Sequence, residues 1–211
     1  METMPTDSSA LSLLRLATAP LHTRLERGLR IVQPGAGHDE FRAYLVALWG
    51  WHCSFEDRLW SYDWPAPLEV TQRRAKLRAL AQDLESLGFD EEARDALPRC
   101  DYAPALDGVA ERYGVAYVVE GAQLGTRVLG KSLAPALAPW SPAWLEGYGA
   151  NAGLSWKTFI ACLERALETP DARAQAAAAA VGAFESLNVW FELCGSRECT
   201  CASYPTTPDQ T

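Results

Sequence analysis

Two features of this chain carry residue types and spacings that could do chemistry. The first is His22, which lies beside an apolar stripe made by Thr18, Leu21 and Leu25, with Glu26 one helical turn later. A neutral imidazole nitrogen is a good metal ligand, tuned by whatever holds the other ring nitrogen. The bland alternative is a packed or solvated residue at a helix edge. Of the three histidines, His38 falls in a Pro/Gly-rich loop and His52, between Trp51 and Cys53, reads as a packed residue. The second feature is a set of glycines, Gly114, Gly121, Gly125 and Gly130, inside an otherwise helical run. Each glycine in a helix interior costs roughly 0.8–1 kcal/mol against alanine, so the four together cost about 3–4 kcal/mol. Gly121 and Gly125 share one face and let another body approach the backbone closely. That body is either a second helix or a flat ligand, and spacing alone leaves the two equal.

Other groups carry less. Six cysteines occur, three of them in the segment Cys194, Cys199 and Cys201. Three thiols so close could take a soft metal, but no fourth cysteine or histidine lies near, and the segment reads as a polar tail. Cys53 and Cys162 sit in apolar helical patterns, as buried thiols do. A formal net charge of −8 disfavours binding to nucleic acid, which needs clustered cations. No run reaches the roughly 18–20 apolar residues of a membrane helix. The first nine residues lack a basic segment followed by an apolar one. The expectation is a cytoplasmic protein.

The elements that must position these residues are helical almost throughout. Leu11, Leu14, Thr18, Leu21, Leu25 and Leu29 recur at spacings of three and four, the period of an amphipathic helix. Ser8 or Ser9 is its N-cap, and Pro20 must kink it or open a second helix. After a loop over 32–38, Asp39 opens a helix carrying Phe41, Tyr44, Leu45, Leu48, His52, Phe55 and Leu59 on one side. A charged amphipathic helix is expected from about Thr71 to Leu87 and a short one from Glu91 to Leu97. The glycine-containing helix is expected from about Ala103 to Leu133, followed by a Pro-rich connection to Pro142. Two more are expected near 155–167 and 170–194. The sum is an all-α, single-domain bundle of about seven helices over 11–194, with a disordered or extended stretch over 1–10 and a polar, Cys-containing tail over 195–211.

Taken together, these residues resemble the haem oxygenase family, in particular its bacterial, bacteriophytochrome-associated branch. The segment from Leu13 to Glu26, with His22 and Glu26 spaced as His-x-x-x-Glu, is similar to the family's proximal helix. Tyr117-Val-Val-Glu-Gly121-Ala-Gln-Leu-Gly125 is similar to its distal helix. Phe41–Trp51, Asp83–Gly88 and Trp156–Ile160 are similar as well, so the resemblance runs from about Leu11 to Trp190. It implies that haem is both substrate and cofactor, opened at a meso carbon to biliverdin with release of CO and ferrous iron. It implies molecular oxygen, an external electron donor and a bacteriophytochrome as biliverdin acceptor. By position, His22 is the iron ligand, Glu26 fixes its surroundings, and Gly121 and Gly125 line the distal face. Arg15, Lys131 and Lys157 are the cations for the propionates, and Tyr117 offers a hydroxyl. The sequence departs from many members in one place: the residue after the first distal glycine, where they carry an acid that orders water, is Ala122. The polar group must then come from elsewhere, Arg127 being one candidate. The alternative reading is a non-catalytic haem-binding or haem-trafficking protein on the same fold. A di-iron oxidase is disfavoured because no histidine has a Glu three residues before it. A thiol hydrolase related by fold is disfavoured because no Cys–base pair can be recognised.

Overall fold

The computed structural model describes residues 9–195. Among these residues there are ten α-helices, three short 3-10 turns and no strand. The first helix, α1 (Ala10–Gly28), starts where Ser9 accepts a hydrogen bond from the Ser12 amide. It runs unbroken through Pro20. The carbonyl that Pro20 leaves without its amide partner belongs to Leu16, an exposed residue, so water can satisfy it. The first of the 3-10 turns, Arg30–Val32, leads to α2 (His38–His52) and then α3 (Glu56–Leu59). The single helix expected across this stretch therefore breaks after His52. Phe55 and Leu59 are nevertheless fully buried, because a turn of chain over 53–55 re-aims them at the core.

The charged amphipathic stretch splits into α4 (Val70–Arg73) and α5 (Ala75–Ser86), and α6 (Glu91–Asp95) follows. Next comes α7 (Val109–Leu137), the glycine-containing helix, displaced towards the C-terminus from the expected span. Pro104, Asp107 and Gly108 keep the chain out of helix at its start, and buried Leu133 and Leu137 hold the last turns together despite Pro135. The remaining helices are α8 (Ala143–Glu146), α9 (Ala152–Ala166) and α10 (Pro170–Gly195). Cys194 is half-buried near the end of α10, and Cys199 and Cys201 lie outside the described residues. Cys162 is buried and Cys53 only half-buried.

α10 is the centre of the arrangement. It packs along α1 on one side, along α7 on another, and against α2. The Ala-rich first half of α10 is what allows close packing: a Cβ placed on Gly114 of α7 would lie 2.2 Å from the carbonyl oxygen of Ala176. Two apolar clusters form the core. One is built on Trp51, Phe55, Trp60, Tyr113, Phe159 and Phe184, the other on Phe41, Leu45, Leu80, Leu84, Leu133 and Trp144. His52 is packed between Trp51 and Trp144 with its Nδ1 2.6 Å from Glu56 Oε2, in line with its expected role. No helix among the described residues is long and apolar enough to cross a membrane.

Candidate functional site

His22 and the glycine face stand on the two helices that flank α10. On α1, His22 is exposed, at 57% of its side chain, and its Nδ1 lies 3.5 Å from Glu26 Oε2. The i, i+4 spacing produces this pairing, because residues four apart stack on one helix face. The Phe184 ring of α10 meets the imidazole edge-on, with centroids 5.8 Å apart. The ring thus rests against Phe184, with Nδ1 on the Glu26 side.

On α7, Gly114 and the pair Gly121 and Gly125 do different work. Gly114 is filled space, with Ala176 and Ala179 of α10 against it. At Gly125 an added Cβ would meet nothing within 4 Å, and at Gly121 only the Trp156 ring, at 4.0 Å. Close helix packing, one of the two readings open from spacing, is therefore not what these two glycines serve. They belong to a stripe, Gly121, Leu124, Gly125 and Val128, at spacings i, i+3, i+4 and i+7, the pattern of a face made for burial. Yet Val128 is 72% exposed and Leu124 39%. An exposed apolar stripe of this kind, with no neighbouring helix packed on its two glycines, is a candidate ligand-facing surface.

The remaining expected site residues lie around these two helices. Tyr117 is half-buried and packs on Trp156 of α9, with centroids 5.9 Å apart. Arg15, Lys131 and Lys157 are exposed, as are Ala122 and Arg127. Among the described residues no three His, Cys, Asp or Glu side chains group as a metal site.

The structure also shows a group that sequence reasoning missed. Next to Gly121, about a quarter-turn round α7 from the glycine face, Glu120 is only 2% exposed. Its carboxylate accepts hydrogen bonds from Arg73, from Lys76 Nζ at 2.8 Å and from the Tyr148 hydroxyl at 3.0 and 3.1 Å. Burial opposes the charge on Lys76. Glu120, Tyr148 and Glu56 outweigh it and lift the ammonium to about 12. The signal in the sequence was a lone acid in the apolar run Val118-Val119-Glu120, at a position the helical period places inside.

The heme oxygenase family model matches residues 8–193. The chain belongs to the heme oxygenase family. A heme oxygenase from Xanthomonas campestris pv. campestris (strain 8004) is 35% identical over 158 residues, covering 71% of this chain and 89% of that protein. The NO- and CO-bound heme oxygenase from Neisseria meningitidis superimposes with a TM-score of 0.69 over 97% of this chain and 99% of that one, at 20% identity. The likeness shows that the all-helical fold is shared. Haem binding and haem degradation are thereby assigned at the level of the family. A haem also suits the residues present: an open apolar stripe lacking two Cβ atoms for the flat ring, and an accessible imidazole for the iron.

Proposed function

We propose that this chain opens haem to biliverdin, with release of CO and ferrous iron, holding the haem between the His22 face of α1 and the Gly121–Gly125 face of α7. The observation that carries this reading is the contrast along α7. One glycine is packed tightly against α10, and the next two on the same face are left uncovered together with Leu124 and Val128. Bound haem supplies both the ring that is cleaved and the iron that activates oxygen.

The chain's own residues orient and protect. His22 offers Nε2 to iron, because Nδ1 faces Glu26. A carboxylate on the Nδ1 side favours the tautomer that leaves Nε2 free for iron. An imidazole is a neutral ligand, unlike a thiolate. Gly121 and Gly125 would leave space between the helix backbone and a haem held there. Trp156 and Tyr117 close one end of the slot. Arg15, Lys131 and Lys157 are the candidates for pairing with the propionates at the solvent edge. Electrons come from a separate donor, and a bacteriophytochrome apoprotein is the acceptor of the biliverdin in this reading.

Ala122 favours a second reading, a haem-binding protein without turnover, because no acid follows the first distal glycine. One experiment separates the two. Purified chain is mixed with hemin and then reduced in air while the spectrum is followed. A Soret band that depends on His22, followed by loss of haem absorbance and appearance of a green verdin product, is the expected result. A stable haem complex that never yields verdin supports the second reading. No Soret band, or one unchanged in His22→Ala, overturns the assignment.

A further inference from the structure

At the two glycines of this face only the Trp156 ring comes within 4.0 Å, at Gly121, so the height of the segment is set mainly by contacts elsewhere on α7. The Glu120 cluster supplies them about a quarter-turn round the helix. Arg73, at the end of α4, donates to Glu120 and also to the carbonyls of Leu68 at 2.6 Å and Ser155 at 3.1 Å. Lys76 of α5 donates to Glu120, to the Arg73 carbonyl at 2.9 Å and to the Tyr148 hydroxyl at 2.9 Å. Tyr148 follows Gly147, whose φ is +51°. A Cβ on Gly147 would lie 2.8 Å from Gln123 Oε1 and 3.1 Å from Thr126 Oγ1. The turn that carries Tyr148 can therefore seat against α7 only with glycine there. One carboxylate thus ties the glycine segment to α4, α5, the α8–α9 turn and, through Arg73, to α9.

Stability alone is a weak account of such a cluster. Replacing buried ion pairs by packed apolar residues is often neutral or stabilising. What a buried, charge-assisted cluster adds is direction: apolar contacts tolerate sliding, whereas several short hydrogen bonds on one carboxylate do not. The segment it anchors is the one where glycines make the helix most yielding.

We propose that Glu120 is a positioning residue that sets the height of the Gly121–Gly125 backbone over the haem, acting through Arg73, Lys76 and Tyr148. This rests on the reading that haem lies against that face. The test uses the full chain loaded with hemin, reduced under CO, in wild type, Glu120→Gln, Tyr148→Phe and a core control, Leu163→Ala. Three quantities are measured: the infrared C–O stretch of the complex, turnover to verdin, and thermal unfolding of the haem-free chain. The C–O stretch responds to dipoles and contacts within a few ångströms of the ligand, which loss of stability elsewhere does not move.

In Glu120→Gln the expected result is a retained Soret band, a shifted and broadened C–O band, and turnover lowered by up to about 100-fold, the scale of a 1 Å misplacement. Tyr148→Phe removes only the hydroxyl and shifts the band in the same direction by less. It carries the test if Glu120→Gln does not fold. Leu163→Ala unfolds earlier but keeps the wild-type band. C–O bands that superimpose on wild type in both cluster variants overturn the proposal, as does an equal shift in the control. A wild-type chain that takes up no hemin instead overturns the haem reading itself, and the positioning role with it.

Discussion

At Gly125 a methyl group would meet no neighbouring atom, whereas at Gly114 it would collide with the Ala176 carbonyl. The two glycines differ by three helical turns and by everything that faces them. Gly125→Ala should therefore stabilise the haem-free chain by about 0.8–1 kcal/mol, the helix propensity recovered at an open position. It should also weaken hemin binding, because the new Cβ stands in the slot. Thermal unfolding without hemin and a hemin titration followed at the Soret band check the two halves. A destabilised haem-free variant, or one with unchanged hemin affinity, would contradict the slot. Gly121→Ala should behave alike, with a smaller gain because Trp156 already touches that position.

Among the elements, α7 does two jobs with one face. Its N-terminal half is locked to α10 through Gly114, and its C-terminal half carries Gly121 and Gly125, which α10 does not touch. Gly114→Ala should cost about 1–3 kcal/mol by overpacking against Ala176 and Ala179, read from denaturant midpoints at an unchanged slope. Opposite effects on stability at Gly114 and Gly125 would be hard to obtain if the glycines shared one structural purpose. α1 is held differently. Its first turn docks on α9 through the amides of Ala10 and Leu11, each 2.9 Å from the Glu164 carboxylate. Its later turns are tied to α10 by Asn188, which donates to the Leu21 carbonyl at 3.2 Å, and by the Arg24–Glu192 pair. Anchors on both sides of Pro20 keep the His22 turn in register with Phe184.

For the molecule as a whole, the slot is an energetic opportunity. The chain buries two apolar clusters yet leaves Leu124 and Val128 bare, so a ligand that covers them must couple to global stability. A ligand bound only by the folded state at about 100 times its dissociation constant adds about 2.7 kcal/mol. For a chain of this size that corresponds to roughly 5–10 °C in Tm. Hemin should raise the melting temperature by this amount in wild type and by much less in His22→Ala. An equal rise in both would place the haem elsewhere.

The amino-acid sequence by itself determined the helical class, the stripe on α1, a serine cap at Ser8 or Ser9, the His22–Glu26 spacing and the shared face of Gly121 and Gly125. These are local properties: period, capping and backbone freedom act within a few residues. The breaks after His52 and at Arg74, and the shift of α7 to Val109–Leu137, were not legible from period alone, because burial of Phe55, Leu59 and Leu137 by distant partners decided them. Tertiary structure also separated the glycines, packing Gly114 against α10 and leaving Gly121 and Gly125 with no helix closely against them. And it alone assembled Glu120 with Arg73, Lys76 and Tyr148, residues up to 75 positions apart. A lone buried acid in a sequence shows only that a partner must exist. Which partners they are depends on how the helices cross.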